Sequence, residues 1–129
     1  MTDINLRSGF FLAREAGRQM RENGIKGRIL LITSQHRAMP RNLPHYSASK
    51  AGMTMVMKEL ARVLAPDGIR VNAIAPGAIP GGGFVAGNLD ALVAQIPLGR
   101  AGTPDDIAQV AVAVLSERLP ICGGYHSRS

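Results

Sequence analysis

The chain has 129 residues, of which 46% are hydrophobic, a formal net charge of +6 and a single cysteine, Cys122. This length ordinarily makes one domain with a core, and no apolar run approaches the roughly 20 residues of a membrane span. One cysteine excludes an internal disulfide framework, so we expect a cytoplasmic protein that does not enter a membrane.

The first predicted element is a helix over residues 4–23, which Gly24 would end. Four arginines recur in it at helical spacing, which is typical of the wet face of an amphipathic helix. The chain has two tyrosines and three phenylalanines, and no basic cluster with interleaved aromatic residues. We therefore expect no nucleic-acid binding, although a small basic nucleic-acid binder stays as an alternative that salt-dependent DNA retention would reveal.

Two short apolar segments, 28–33 and 69–75, have the pattern of strands that are covered on both faces. Between them lie a polar loop over 34–44 and a long helix over 45–65, which Pro66-Asp67-Gly68 would end. Alternation of helices with strands of this type predicts an α/β fold with a parallel sheet.

A glycine-rich loop is predicted over 76–87, at a strand end, where ligands bind in such sheets. A short helix over 88–96 and a longer one over 103–117 follow. The longer helix carries Thr103 as its predicted N-cap and Pro104 in its first turn.

Tyr46 and Lys50 stand four residues apart, so a helix places the phenol and the ammonium on one face. An ammonium stabilises a phenolate, which suits tyrosine for acid/base work near neutral pH. By spacing alone, such a lysine would more often be a solvated surface charge. Ser34 stands at the end of the first strand, and with it the pair becomes a candidate catalytic set.

Three stretches in this order resemble the short-chain dehydrogenase/reductase family, and the likeness runs from Asp3 to about Arg118. They are Thr33-Ser34, the run Tyr46-Ser47-Ala48-Ser49-Lys50-Ala51-Gly52-Met53, and the run Ile69-Arg70-Val71-Asn72-Ala73-Ile74-Ala75-Pro76-Gly77. The resemblance implies a Rossmann-type, doubly wound parallel sheet. It also implies hydride transfer between NAD or NADP and an alcohol or carbonyl substrate.

The resemblance further implies roles for individual residues. Tyr46 exchanges the substrate's hydroxyl proton, Lys50 stabilises the phenolate and holds the nicotinamide ribose, and Ser34 donates a hydrogen bond to the substrate oxygen. Asn5 matches a helix asparagine that anchors a water in the proton relay, although asparagine near a helix start is usually a cap. His36 would line the substrate side of its loop.

Pro76 and Gly77 resemble the segment that passes beside the nicotinamide, where Ile79 would offer backbone groups to the carboxamide. The family usually has a threonine after this isoleucine, but here Pro80 has neither a hydroxyl nor an N–H donor. The three histidines have no spacing typical of metal ligands, so we expect no metal.

The sequence contains no glycine-rich turn after an N-terminal strand, so the resemblance implies an incomplete sheet. Residues 1–118 would form the catalytic segment without most of the dinucleotide-binding half. Residues 119–129 depart from the family's final strand, but the same codons read one base forward allow Arg-Tyr-Val-Ala-Gly-Thr-Thr-Val-Val. We therefore expect a frame-shifted tail, which the coding DNA would test.

The helix over 45–65 is apolar almost all round, which favours a second subunit as its further partner. We expect a homo-oligomer through this helix and the helix over 4–23, with a small alcohol or carbonyl compound as the substrate. The alternative is a non-catalytic interaction module that associates with a full-length relative. Alone, the chain is expected to bind the cofactor feebly and to lack activity.

Overall fold

The computed structural model describes residues 3–39, 42–81 and 89–119. The strands are β1 Arg28–Ile32 and β2 Arg70–Ile74. The α-helices are α1 Ser8–Glu22, α2 Pro44–Leu64, α3 Leu89–Val93 and α4 Pro104–Leu115. Three shorter turns are π-helical over Asp3–Arg7 and 3-10 over Gln35–Arg37 and Ala65–Asp67. The greater part of the predicted glycine-rich loop, and the expected tail beyond Leu119, lie outside the described residues.

The two strands pair in parallel, from Arg28 opposite Arg70 to Ile32 opposite Ile74, which confirms the predicted parallel α/β arrangement. The alignment continues past the strands. The amide N–H of Thr33 donates to the Ile74 carbonyl at 2.8 Å, and that of Gln35 donates to the Pro76 carbonyl at 3.0 Å. The loops that leave the two carboxyl ends are therefore held side by side.

Helices α1 and α2 cover one face of this sheet and enclose the core. The most deeply buried large side chains there are Met57, Ile69 and Val71. A Cβ added to Gly17 would lie 2.6 Å from Leu64 Cδ1, so the absence of a side chain lets α1 approach α2 closely. Burial of each such large apolar side chain contributes about 1.5–3 kcal/mol, so this face supplies most of the hydrophobic stabilisation.

The opposite face, over which α4 packs, is less completely closed, although Asn72 and Ile74 of β2 are buried there at 7% and 9% exposed. No residue of α4 is buried, and the side chain of Ile32 on β1 is 45% exposed. The expectation that both strands are covered on both faces is therefore wrong for the end of β1. Among the described residues, α4 thus leaves the end of β1 partly uncovered.

Both ends of α4 are fixed by polar contacts. The Arg70 guanidinium donates to the carbonyls of Val114 and Ser116 at 3.4 and 3.0 Å, and so binds groups that the helix end leaves without partners. At the other end, Thr103 and Asp106 form a reciprocal capping box, which confirms the predicted N-cap.

Most predicted boundaries shift by a few residues. The first helix begins with a π-helical turn instead of a regular α-turn. It ends as expected at Gly24, whose φ is +65°. Helix α2 begins at Pro44, one residue early, because proline suits a first helical turn. Helix α3 is shorter than predicted, and the polar loop contains a 3-10 turn.

Two surface features bear on partners. Arg18 pairs with Glu15 and Glu22, and Arg21 pairs with Asp67, so part of the basic stripe on α1 is neutralised within the chain. In the part of the chain that the structure describes, none of the helices has the length and apolarity that crossing a membrane requires.

Candidate active site

A cavity of about 420 Å³ opens at the carboxyl ends of the two strands. It is lined by Ile32, Thr33, Ser34, Tyr46, Lys50, Pro76, Gly77, Ile79, Pro104 and Ile107. Six of these ten are candidates from the sequence. They come from three separate stretches of the chain, which the parallel pairing of β1 with β2 and the packing of α2 bring together.

Tyr46 and Lys50 lie on the first turns of α2 and face the end of β1. Lys50 Nζ lies 5.6 Å from the centre of the Tyr46 ring and donates a hydrogen bond to the Ile32 carbonyl at 3.1 Å. An ammonium has three N–H donors, so this bond fixes its position and leaves two hydrogens for other acceptors. Neither side chain is the freely solvated surface group that spacing alone would favour, because both are half-buried.

The helix backbone at this pair carries two additional hydrogen bonds. Ser49 Oγ, in a residue 2% exposed, donates to the Tyr46 carbonyl at 2.7 Å. Thr54 Oγ1 donates to the Lys50 carbonyl at 3.0 Å. Hydroxyls inside a helix often bond in this way to the preceding turn, and here they tie down the segment that presents the phenol and the ammonium.

Ser34 is buried at the end of β1, and its hydroxyl is oriented by the backbone. Its Oγ accepts a hydrogen bond from the His36 amide at 3.3 Å, which uses a lone pair and leaves the O–H free to donate. Its neighbour Thr33 donates from Oγ1 to the Ile74 carbonyl at 3.1 Å, which locks this stretch to β2. The serine can therefore donate a hydrogen bond into the cavity.

His36 contacts Tyr46 directly. The two rings meet edge to face, with centroids 5.2 Å apart and planes at 85°. His36 Nδ1 is buried and has no hydrogen-bond partner among the described residues. His36 is not among the residues that line the 420 Å³ cavity, so the structure places it against the phenol and outside that lining.

Asn5 lies half-buried in the π-helical turn that precedes α1, and it too is outside the cavity lining. A π-helical turn is uncommon and occurs frequently at functional sites. The sequence pattern did not reveal this turn, since it predicts only a helix there.

Four lining residues were not predicted as site residues: Ile32 and Thr33 directly precede Ser34 in the chain, whereas Pro104 and Ile107 come from a distant element. The last two are the more informative omission. They belong to the first turns of α4 and reach the cavity from the open face of the sheet. The Thr103 N-cap was the available signal, because helices of doubly wound sheets begin near the carboxyl edge, where ligands bind. Groups of three or more His, Cys, Asp or Glu residues that could hold a metal ion do not occur within residues 3–39, 42–81 and 89–119.

Comparison with known proteins places the chain among short-chain dehydrogenases. A family model described as enoyl-(acyl carrier protein) reductase matches residues 1–126. Glucose 1-dehydrogenase 2 of Bacillus subtilis is 37% identical over 131 residues, covering 95% of this chain and 49% of that protein. A crystal structure of a short chain dehydrogenase from Bacillus anthracis superposes with a TM-score of 0.89 at 34% identity, covering 95% of this chain and 50% of that one.

A short chain dehydrogenase from Leptospira borgpetersenii with bound NAD+ gives a TM-score of 0.87 at 31% identity, over 94% of this chain and 50% of that one. The chain thus spans about half the length of these proteins. Their likeness confirms the predicted partial Rossmann-type fold.

Proposed function

The chain belongs to the short-chain dehydrogenase/reductase family of oxidoreductases, and we propose that it carries the acid/base site of such an enzyme. In this proposal Tyr46 is the acid/base, Lys50 stabilises its phenolate, and Ser34 donates a hydrogen bond to the substrate oxygen. The observation that carries the proposal is their convergence, with Pro76, Gly77 and Ile79, on one cavity.

The chemistry is the interconversion of an alcohol and a carbonyl. When bound, the nicotinamide ring of NAD or NADP would supply the hydride acceptor for oxidation, and its reduced form the hydride donor for the reverse. In oxidation, the substrate hydroxyl gives its proton to the Tyr46 phenolate as the carbon–hydrogen bond breaks with its electron pair. Ser34 donates to the same substrate oxygen, and Lys50 offsets the negative charge on the phenolate.

The residues present fit the nicotinamide end of such a cofactor. Lys50 keeps two N–H donors for ribose hydroxyls beyond its bond to Ile32. At Gly77 an added Cβ would meet only Gln35 Oε1, at 3.6 Å, so the backbone there is open to a flat ring. The described residues contain no glycine-rich strand–turn–helix for the pyrophosphate, which is why we expect weak cofactor binding by this chain alone.

Asn5 is proposed to anchor a water of the proton relay. The π-helical turn around it supports this role, because such a turn disrupts the regular bonding of helix carbonyls and leaves them able to bind other groups. His36 is proposed to lie at the substrate side of Tyr46, and its edge-to-face contact with that ring supports the position.

A homo-oligomer through α1 and α2 is proposed from their exposed apolar side chains. Leu12 on α1 is 75% exposed, while Met55 and Val63 on α2 are 55% and 56% exposed. The same surfaces support the alternative, a non-catalytic module that binds a full-length relative. We assign residues 1–118 to the catalytic portion of the domain, and the coding DNA would test the proposed frame shift in 119–129.

The test uses β-nicotinamide mononucleotide, which contains only the nicotinamide end of the cofactor. Equilibrium dialysis against the 129-residue chain would measure its dissociation constant for wild type, Lys50→Met and Lys58→Met. Loss of a charged hydrogen bond should weaken binding about 10-fold or more in Lys50→Met. Lys58 lies on the same helix outside the cavity lining, so Lys58→Met should bind like wild type.

The proposal would lose its support if both lysine variants bound the mononucleotide equally weakly, or if Lys50→Met bound it as tightly as wild type. Tight association with a full-length relative, without any nucleotide binding, would favour the interaction module instead.

A further inference from the structure

A second cavity, of about 700 Å³, adjoins the first, and Ser34, Tyr46 and Lys50 are not among its described lining residues. It lies between the loop after β2, the α3 region and the first turns of α4. Gly77, Ile79 and Ile107 line both cavities, so the two meet at these residues. Since Gly77 has no side chain to divide them, a molecule bound at Ser34 and Tyr46 can extend from one cavity into the other.

The second cavity is walled largely by apolar side chains. They are Met39, Leu92, Ile96, Leu98, Ile107 and Val110. Leu98, Met39 and Val110 are 84%, 49% and 47% exposed, so apolar surface faces the space instead of being packed away. Covering such surface with an apolar group is favourable, because it removes apolar area from water.

Its charged lining residues neutralise each other. Arg100 Nη1 donates to Asp106 Oδ2 at 2.9 Å, and Asp106 also accepts hydrogen bonds from Thr103. No other Lys, Arg, Asp or Glu is among the described lining residues. A charged substrate group would therefore be placed beside apolar side chains without a free opposite charge, which is costly.

Two of the three glutamines in the lining already use one of their two amide N–H donors. Gln95 Nε2 donates to the Ala91 carbonyl at 3.3 Å, and Gln109 Nε2 donates to Asp105 Oδ2 at 2.7 Å. These bonds reduce the number of N–H donors that a polyhydroxylated group in this space would find for its oxygen atoms, and burying polar groups without partners is unfavourable.

We propose that the second cavity selects the substrate, and that it takes an uncharged ketone or secondary alcohol whose longer substituent is apolar. This inference rests on the proposed function for the position of the reacting carbon. The carbonyl lies at Ser34 and Tyr46, and the aliphatic substituent passes Gly77 into the space beside Val110.

The test compares two probes that share one ketone and one chain length. They are 2-octanone and 7-oxooctanoate, which differ by a carboxylate at the end distant from the ketone. Equilibrium dialysis against the 129-residue chain tolerates self-association of the protein. We expect 2-octanone to bind at least about 10-fold more tightly than 7-oxooctanoate.

Two valines on α4 give a matched pair of variants. Val110 lines the second cavity, whereas Val112 is 70% exposed and lines neither cavity. Val110→Asp should weaken 2-octanone binding about 10-fold, and Val112→Asp should leave it within about 2-fold. Equal losses in the two variants, equal binding of the two probes, or no binding of 2-octanone would each overturn the inference.

This experiment separates the inference from the proposal it rests on. Suppose that 2-octanone binds as expected but the affinity for nicotinamide mononucleotide is the same in wild type and Lys50→Met. The proposed function is then wrong, and the apolar cavity is still supported as a ligand site. If the nucleotide depends on Lys50 but the two probes bind alike, the substrate class alone is wrong.

Discussion

The two faces of the sheet differ in how far they are closed. On the face covered by α1 and α2, Met57, Ile69 and Val71 are at most 1% exposed. On the face covered by α4, that helix has no buried residue and Ile32 is 45% exposed. Elements with few buried contacts open at lower free energy, so the first face should be rigid and the second should open more easily.

The candidate site lies across this difference. The proposed proton-transfer groups, Tyr46 and Lys50, are on α2, which covers the closed face. Pro104 and Ile107 approach from α4 on the open face, and Ile107 also lines the proposed substrate cavity. In the proposed site, the geometry of the acid/base pair thus depends on α2, whereas the fit of the substrate depends on α4.

The largest expected effect is on kcat, from a substitution of Tyr46 on α2, the helix that covers the closed face. In a chimera that supplies the remaining half of the Bacillus subtilis relative, Tyr46→Phe should lower kcat about 10²–10⁴-fold. Cofactor affinity should change little, because the ring and Lys50 remain. Steady-state kinetics and cofactor titration measure the two quantities, and substantial retained activity would refute the assignment of Tyr46.

The next effect is on stability, and two methionines of α2 give the comparison. Met57→Ala removes a side chain that is 1% exposed and should lower the free energy of unfolding by about 2–5 kcal/mol. Met55→Ala alters a side chain that is 55% exposed and should change it by no more than about 0.5 kcal/mol. Urea denaturation followed by circular dichroism measures both, and similar losses would show that α2 is not packed as described.

A smaller effect is expected at the start of α4. Thr103→Ala removes the N-cap hydroxyl and should destabilise that helix by about 1 kcal/mol. Amide hydrogen exchange should accelerate along α4 while α2 stays protected, because the two helices cover different faces. Thr103→Ser keeps the hydroxyl and should restore slow exchange, whereas acceleration in both helices would mean that the faces unfold together.

The smallest effect concerns pH at the same helix start. Hydrogen bonds from Arg100, and then from Thr103, lower the pKa of the Asp106 carboxyl from 3.8 to about 2. A lowered folded-state pKa means that the stabilisation is complete above about pH 4 and is lost as pH falls through about 2. NMR titration of the Asp106 carboxyl carbon should show this midpoint, and Arg100→Gln should raise it. A midpoint near 3.8 in the wild-type chain would contradict the Arg100 contact.

Much of the site could be predicted because its residues lie in short contiguous patterns. Tyr46 and Lys50 are one helical turn apart, so local geometry places them on one helix face, and Ser34 lies just beyond a strand, at the sheet edge. Pro104 and Ile107 could not be found in this way, since no local pattern states which edge of the sheet their helix would reach. The π-helical turn at Asp3–Arg7 was missed for a similar reason, because its residues fit an α-helix equally well.

The sequence by itself determined the alternation of helices and strands, the ends at Gly24 and Gly68 and the cap at Thr103. These follow from hydrophobic periodicity, backbone preferences and side-chain chemistry, which act over a few residues. Only the tertiary structure decided that one face of the sheet is closed and the other open, and that two cavities meet at Gly77. Those features depend on packing between segments that are far apart in the sequence, and no local pattern encodes how completely distant side chains fill the space between them.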